Sequence, residues 1–321
     1  ILLISLFNFN GAYAASFVIT DEQGAQTLNT DNDVGIIESG GVVSATGSAI
    51  TSTASNVVID NRGVIIGSFR GINSTGSNAV ITNSGSITAT GFLSFSAFVL
   101  GSESSFANSG TITSLSAGGG IFLSSGAGQS LVNSGTILAE GSLSGAVSST
   151  GSNAIITNSG TIGSTGSDSV SVAAYGSNAE LINSGTITAT GSNSIAIDLD
   201  SGGTDDSTLT NTGTISATGS ATEAIKGGTG AQAIFLGKGS RILGTIDLGA
   251  GTDSITATGN GISTRVLTSG NTETLAINPG VAGVVVGNSI HTIDPTSVAS
   301  LTISTNNLAK TIGEEVNSRV N

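Results

Sequence analysis

Apolar residues recur along this chain in short alternating runs, not at helical spacing. Ile81, Phe106, Leu131, Ile156 and Leu181 stand 25 residues apart, and so do Ile87, Ile112, Ile137, Ile162 and Ile187. Between them, apolar and small polar side chains tend to alternate, as in Ile195-Ala196-Ile197-Asp198-Leu199. Alternation enriched in β-branched residues predicts strands. Asn-Ser-Gly punctuates the pattern: Asn83, Asn108, Asn133, Asn158 and Asn183 begin N-S-G, while Asn61 begins N-R-G and Asn211 begins N-T-G. Weaker copies at Glu38 and Lys238 bring the count to nine units. Two residues before the Asn position every unit has an apolar residue, from Ile36 to Leu236, and four after it another, from Val42 to Ile242. A third set lies fourteen residues after Asn in the five clearest units: Ala97, Phe122, Val147, Val172 and Ile197.

A fixed period of this length signals a solenoid. Three short strands per unit, separated by N-S-G and A-T-G-S-type turns, predict an all-β fold: a right-handed parallel β-helix of about nine rungs over residues 15–260, with 261–292 as its C-terminal end and cap. Nine rungs at ~4.8 Å would give a rod of ~43 Å. One coil buries too few side chains to offset the ordering of its backbone, so the coils must stack to fold. The seven Asn residues are expected to be structural. Asn tolerates left-handed turns, and amides repeated at rung spacing can bond one another in a ladder. The Gly two residues later gives a position free of Cβ clashes.

The two ends read differently. Ile1–Phe7 is a short apolar run, and Ala12-Tyr13-Ala14 matches an A-x-A site, so residues 1–14 are expected to be part of a signal peptide cleaved after Ala14. Over 293–321, Val298, Leu301, Leu308, Ile312 and Val316 fall on one face of a predicted helix that follows Asp294-Pro295-Thr296.

Composition narrows the function. The net charge of −13 is the wrong sign for a phosphate backbone, so no nucleic-acid partner is expected. The absence of Cys fits an exported chain that does without disulfides. No run of ~18 consecutive apolar residues is present.

Tandem units such as Asn183–Gly191 (N-S-G-T-I-T-A-T-G) resemble the passenger domains of bacterial autotransporters, secreted by the type V route. Gly244–Asp253 is similar to the G-x-I-x-L-G-x-G-x-D segment that closes such passengers. Ile293-Asp294-Pro295-Thr296 with its following helix is similar to the junction before the family's outer-membrane β-barrel. The resemblance implies export through the periplasm to the outer membrane and cell surface. It also implies a β-barrel translocator as partner, normally in the same chain, and a non-enzymatic role as stalk or adhesin. The partners it suggests are glycans or proteins of a host or neighbouring cell, or further copies of the chain. No barrel pattern of alternating ~10-residue strands with aromatic girdles occurs in the sequence given.

No catalytic, cofactor-binding or metal-ligating residue is assigned. Asp198, Asp200, Asp205 and Asp206 form the densest acidic cluster. Asp198 and Asp200 alternate with Ile197 and Leu199 and are expected to point outward, which keeps a β-helical polysaccharide-active enzyme as an alternative. Lys226 is expected beside Asp198 on the next rung as an ion-pair partner. Gly249–Ile255 matches one copy of a calcium-binding nonapeptide, but such sites need tandem copies, so it reads as a turn before a strand. His291, the only histidine, reads as a surface or cap residue. Thr111/Thr113 and Thr186/Thr188 bracket inward Ile residues and raise an ice-binding face as a further alternative, interrupted by the rungs between them.

Overall fold

The computed structural model describes residues 16–124, 126–200, 206–265 and 274–294. The signal segment with Ala14, Asp205 and the predicted C-terminal helix from Pro295 onward lie outside these residues. The described residues form a parallel β-solenoid of about nine turns, with no helix among them. Its three long faces are parallel sheets of twelve, ten and ten strands, and each strand pairs with strands of the coils before and after. The coil Ser130–Ser149 is typical. Ser130–Asn133 lies on the first face, Thr136–Ala139 on the second and Gly145–Ser149 on the third. A further coil, Phe17–Leu28, precedes the nine units read from the sequence.

Three aliphatic columns fill the interior, because on each face alternate side chains point inward. Leu131, Ile137 and Val147 of one coil stack on Ile156, Ile162 and Val172 of the next, and all six are buried. The strand pairing shifts three sequence assignments. In the Asn108 unit the inward third-face residue is Ile121, level with Ala97 and Val147, while Phe122 faces outward. In the first weak unit Ile37, not Glu38, occupies the Asn column, and the buried second-face residue is Val43, not Val42. In the last weak unit Leu236 itself occupies that column and Ile234 takes the inward place two residues earlier.

The two shifts in the weak units have one cause. N-S-G leaves two residues between the first and second faces, whereas four separate Ile37 from Val42 and Leu236 from Arg241. Without Asn, the corner becomes a wider turn carrying a left-handed glycine, Gly40 or Gly239.

The seven Asn side chains form one buried, directional ladder. Each Nδ2 donates to the next Oδ1 at 2.7–2.8 Å, from Asn61 through Asn83, Asn108, Asn133, Asn158 and Asn183 to Asn211. Asn211 ends it by donating to Ser240 Oγ at 2.6 Å. From Asn83 to Asn211 the Nδ2 also contacts the carbonyl of its own turn's glycine, as Asn158 does at 3.3 Å to Gly160. At the open end Asn61 Oδ1 is buried without a partner, because Ile37 stands where a donor would be. None of the seven is left-handed; that conformation belongs to other corners, at Asn56, Asn78, Asn153, Asn178 and Asn193. The N-S-G glycines are required by stacking: a Cβ on Gly135 would lie 2.1 Å from the Gly110 carbonyl oxygen of the preceding coil.

Beyond the regular coils, Ser263–Arg265, Gly283–Val286 and Ser289–Thr292 form a small antiparallel sheet.

Two stability tests follow. Ile187→Asp should cost about 3–5 kcal/mol by burying an unpaired charge. Thr186→Asp, one residue away on the outer side, should stay within about 1 kcal/mol. Equal melting losses would contradict the strand phase. Asn158→Ala removes the shortest bond of the Asn133 amide and leaves Asn183 Oδ1 without its donor, for a total of about 1–3 kcal/mol. Asn61→Ala leaves only Asn83 Oδ1 without its donor and removes an acceptor that already lacks a partner, so its melting loss should be the smaller.

Candidate functional site

The third face departs from the polar repeat. One outward column runs Asn73, Phe98, Phe122, Ser148, Ala173, Asp198, Lys226 and Asp247 in successive coils. It thus carries aromatics at one end, charges at the other and small residues between.

At the aromatic end, Phe98 and Phe122 stack at 5.1 Å between ring centroids, with Phe95 at 5.4 and 5.2 Å from them. The Arg70 guanidinium lies over Phe98 at 3.6 Å, a cation–π contact that closes that end of the stack. Gly119 makes room for the Phe95 ring, which a Cβ there would meet at 2.9 Å. Beside these rings, the corner between the second and third faces exposes Phe69, Phe92, Leu93, Leu115 and Leu143. Phe92 is 76% exposed and Leu143 74%, so the corner is an apolar ridge across four successive coils. Next to it a slot of about 240 Å³, lined among others by Phe95, Phe122, Leu143, Gly145, Asp168 and Tyr175, opens outward.

At the charged end the acidic cluster resolves into distinct roles. Asp198 stands in the outward column, as alternation expects, yet it is covered and only 6% exposed. Its Oδ2 accepts from the Tyr175 hydroxyl at 3.0 Å and its Oδ1 from the Asp200 backbone N–H at 2.9 Å. Burial raises its pKa above the usual 3.8, only partly opposed by the Asp200 N–H, Lys226 and Tyr175. Burial, with the Asp198 charge, also pushes the Tyr175 phenol well above its usual value. Lys226 is level with Asp198, as the repeat alignment expects, but its ion pair is with Asp200, at 2.9 Å. Burial lowers the Lys226 pKa, yet the Asp200 bond and the charges of Asp198, Asp200 and Glu223 outweigh it, so the net shift is upward. Glu223 is raised by burial and by the neighbouring Asp247 charge. With both oxygens of Asp198 bonded to the chain itself, this end reads as a braced electrostatic network. No group of three or more metal-ligating side chains occurs among the described residues.

The other sequence candidates fall elsewhere. Asp206 accepts from the Ala231 N–H at 2.9 Å. Asp253 is buried and accepts from the Gln232 N–H at 2.8 Å, so its segment acts as a turn brace. His291 is exposed on the antiparallel sheet, with Nδ1 3.0 Å from Ser263 Oγ. On the second face Thr111, Thr136, Thr161, Thr186 and Thr214 form a continuous column, but its companion runs Thr113, Leu138, Gly163, Thr188 and Ser216. The regular threonine array is therefore one column wide. The aromatic cluster and slot were not singled out from sequence; the signal available was Phe92, Phe95, Phe98 and Phe122 concentrated in two units.

Fold and surface together define a β-solenoid with a regular, self-sufficient interior and one irregular outer face. The family model of the BigA fourth domain matches residues 22–257, from the first coil to the last regular strand, and the chain belongs to that family. Neither the curated proteins nor the solved structures compared give a match.

The pH dependence of Asp198 is testable. Its raised native pKa means the folded chain binds the proton more tightly than the unfolded one. That contribution is complete below the unfolded value near 3.8 and is lost as pH rises through the native value. The melting temperature of the wild type relative to Asp198→Asn should therefore fall as pH rises above 3.8, then level off. A difference that is flat or rises over this range would contradict the assignment.

Proposed function

We propose that the chain is a non-enzymatic, surface-exposed adhesive rod, exported as the passenger of an autotransporter. The observation that carries the adhesive reading is the apolar ridge beside the third-face rings, which runs over four successive coils. Contiguous exposed apolar surface of this kind marks contact sites. The export reading is supported by the N-S-G-T-I units, the Gly244–Asp253 segment and the Ile293–Thr296 junction, which resemble autotransporter passengers. In this reading an outer-membrane β-barrel holds the passenger at the cell surface. The ridge meets glycans or proteins of a host or neighbouring cell, and many weak contacts add through multivalency. The internal bonding of Asp198 favours adhesion over the hydrolase alternative.

The test is display. With a complete signal peptide and an autotransporter barrel fused after Asn321, the rod should become sensitive to external protease on intact Gram-negative cells and should confer adhesion. Phe92→Ser with Leu143→Ser should reduce adhesion several-fold without lowering display. Adhesion independent of the displayed rod, or unchanged by the double variant, would contradict the adhesive reading. A fusion that stays protease-protected would contradict the export reading.

A further inference from the structure

The slot between Phe122 and Tyr175 is not needed by the rod. The stacked column Arg70–Phe98–Phe122 stops where Ser148 follows Phe122 on the next coil, and beside it Gly145 follows Gly119. The coil after that brings Val170 and Tyr175, so about 9.6 Å of rod, two rung spacings, separates the Phe122 coil from the Tyr175 coil.

Gly145 is the telling position. A Cβ on an N-S-G glycine would strike a carbonyl oxygen, and one on Gly119 would strike the Phe95 ring. A Cβ on Gly145 would meet nothing nearer than 3.8 Å, and Gly145 is not among the left-handed glycines. Glycine inside a strand weakens it and often marks a place that something else approaches closely. Here the space lies outside the rod, in the slot.

The lining states the chemistry of the occupant. Phe122 and Phe95 close one end, Leu143 and Val170 add apolar contact, and Ser148, Asp168 and Tyr175 add polar groups. Asp168 Oδ1 already accepts from Asn193 at 3.2 Å, which holds the carboxylate in place. A ligand matching this lining has an apolar C–H face to lie on the negative face of an aromatic ring, and hydroxyls that donate to a carboxylate. A pyranose has both. At about 240 Å³ the slot is smaller than the ~300–1,000 Å³ pockets of drug-sized ligands, which suits one ring. Its outward opening lets neighbouring residues of an oligosaccharide run along the face. Asp168, the acidic network beyond Tyr175 and the net charge of −13 disfavour uronates, sialates and other anions.

We propose that this slot is a subsite for one neutral pyranose ring of an oligosaccharide, stacked on Phe122 and hydrogen-bonded at Asp168. The proposal rests on the adhesive reading and gives it a ligand class.

Tyr13 and Tyr175 are the only tyrosines, and there is no tryptophan, so in a Tyr13→Phe background tyrosine fluorescence reports on the slot. The full chain is titrated with maltotriose and N,N′,N″-triacetylchitotriose, with trigalacturonate, and with a phenylalanine-bearing tripeptide that adds no tyrosine or tryptophan emission. At least one neutral trisaccharide should shift the signal saturably, and trigalacturonate should not. Phe122→Ala removes the ring platform, and Gly145→Val fills the slot with a residue that strands favour. Each should weaken binding about ten-fold, with Gly145→Val melting like the wild type. The proposal is overturned if neither neutral sugar binds, if Gly145→Val binds as well as the wild type, or if the tripeptide binds more tightly than both sugars. Displayed cells separate the two levels of the account. Adhesion that survives Gly145→Val removes the subsite alone, whereas a wild-type rod that confers no adhesion removes the adhesive reading.

Discussion

A coil can join this stack only if its backbone turns where the backbones above and below it turn. The N-S-G corner enforces that condition by distance. Successive glycines pass so close to the preceding coil's carbonyl that a Cβ would sit 2.0–2.2 Å from the oxygen at Gly85, Gly110, Gly135, Gly160 and Gly185. The Asn beside each glycine then ties its amide to the next coil, which makes the corner both close-packed and hydrogen-bonded from coil to coil. Where Ile37 and Leu236 replace Asn, the ladder stops and the corner widens by two residues at each end. Ladder and tight corner occur together or not at all.

Because this corner and the three aliphatic columns hold the stack, other positions are released from structural duty. The third face shows the result. Its inward residues Ile121, Val147, Val172 and Ile197 keep the core continuous, while their outward neighbours pass from rings to small residues to charges. Gly135 and Gly145 belong to one coil yet answer to different constraints: the first is fixed by a carbonyl above it, and the second leaves open space outside the rod. That contrast separates what the solenoid needs from what a partner would use.

The period, the strands and the inward columns were legible because Asn, Gly and aliphatic residues repeat every 25 positions through the central coils. Legibility failed where a corner changed length. A first-to-second-face corner two residues longer displaced the register at Glu38 and Lys238, and a second-to-third-face corner one residue shorter exchanged Ile121 with Phe122. Alternation gave the direction of Asp198 but not its burial, since an outward carboxylate becomes covered when Tyr175 and Lys226 on adjacent coils close over it. The slot was illegible for a related reason: its walls come from four coils, and no short segment of sequence contains them together.

Residue-resolved hydrogen exchange of the purified chain tests the central claim that the N-S-G corner is the rod's spine. The N–H groups of Ser84, Ser109, Ser134, Ser159 and Ser184 all donate to the preceding coil's Asn carbonyl at 2.8 Å. They should form the most protected set and open together as one cooperative unit. Protection should drop sharply at Gly41 and Ser240, in the wide turns beyond the ladder. Higher protection at third-face corner amides such as Leu143 and Asp168, or independent opening of the five serines, would contradict the account.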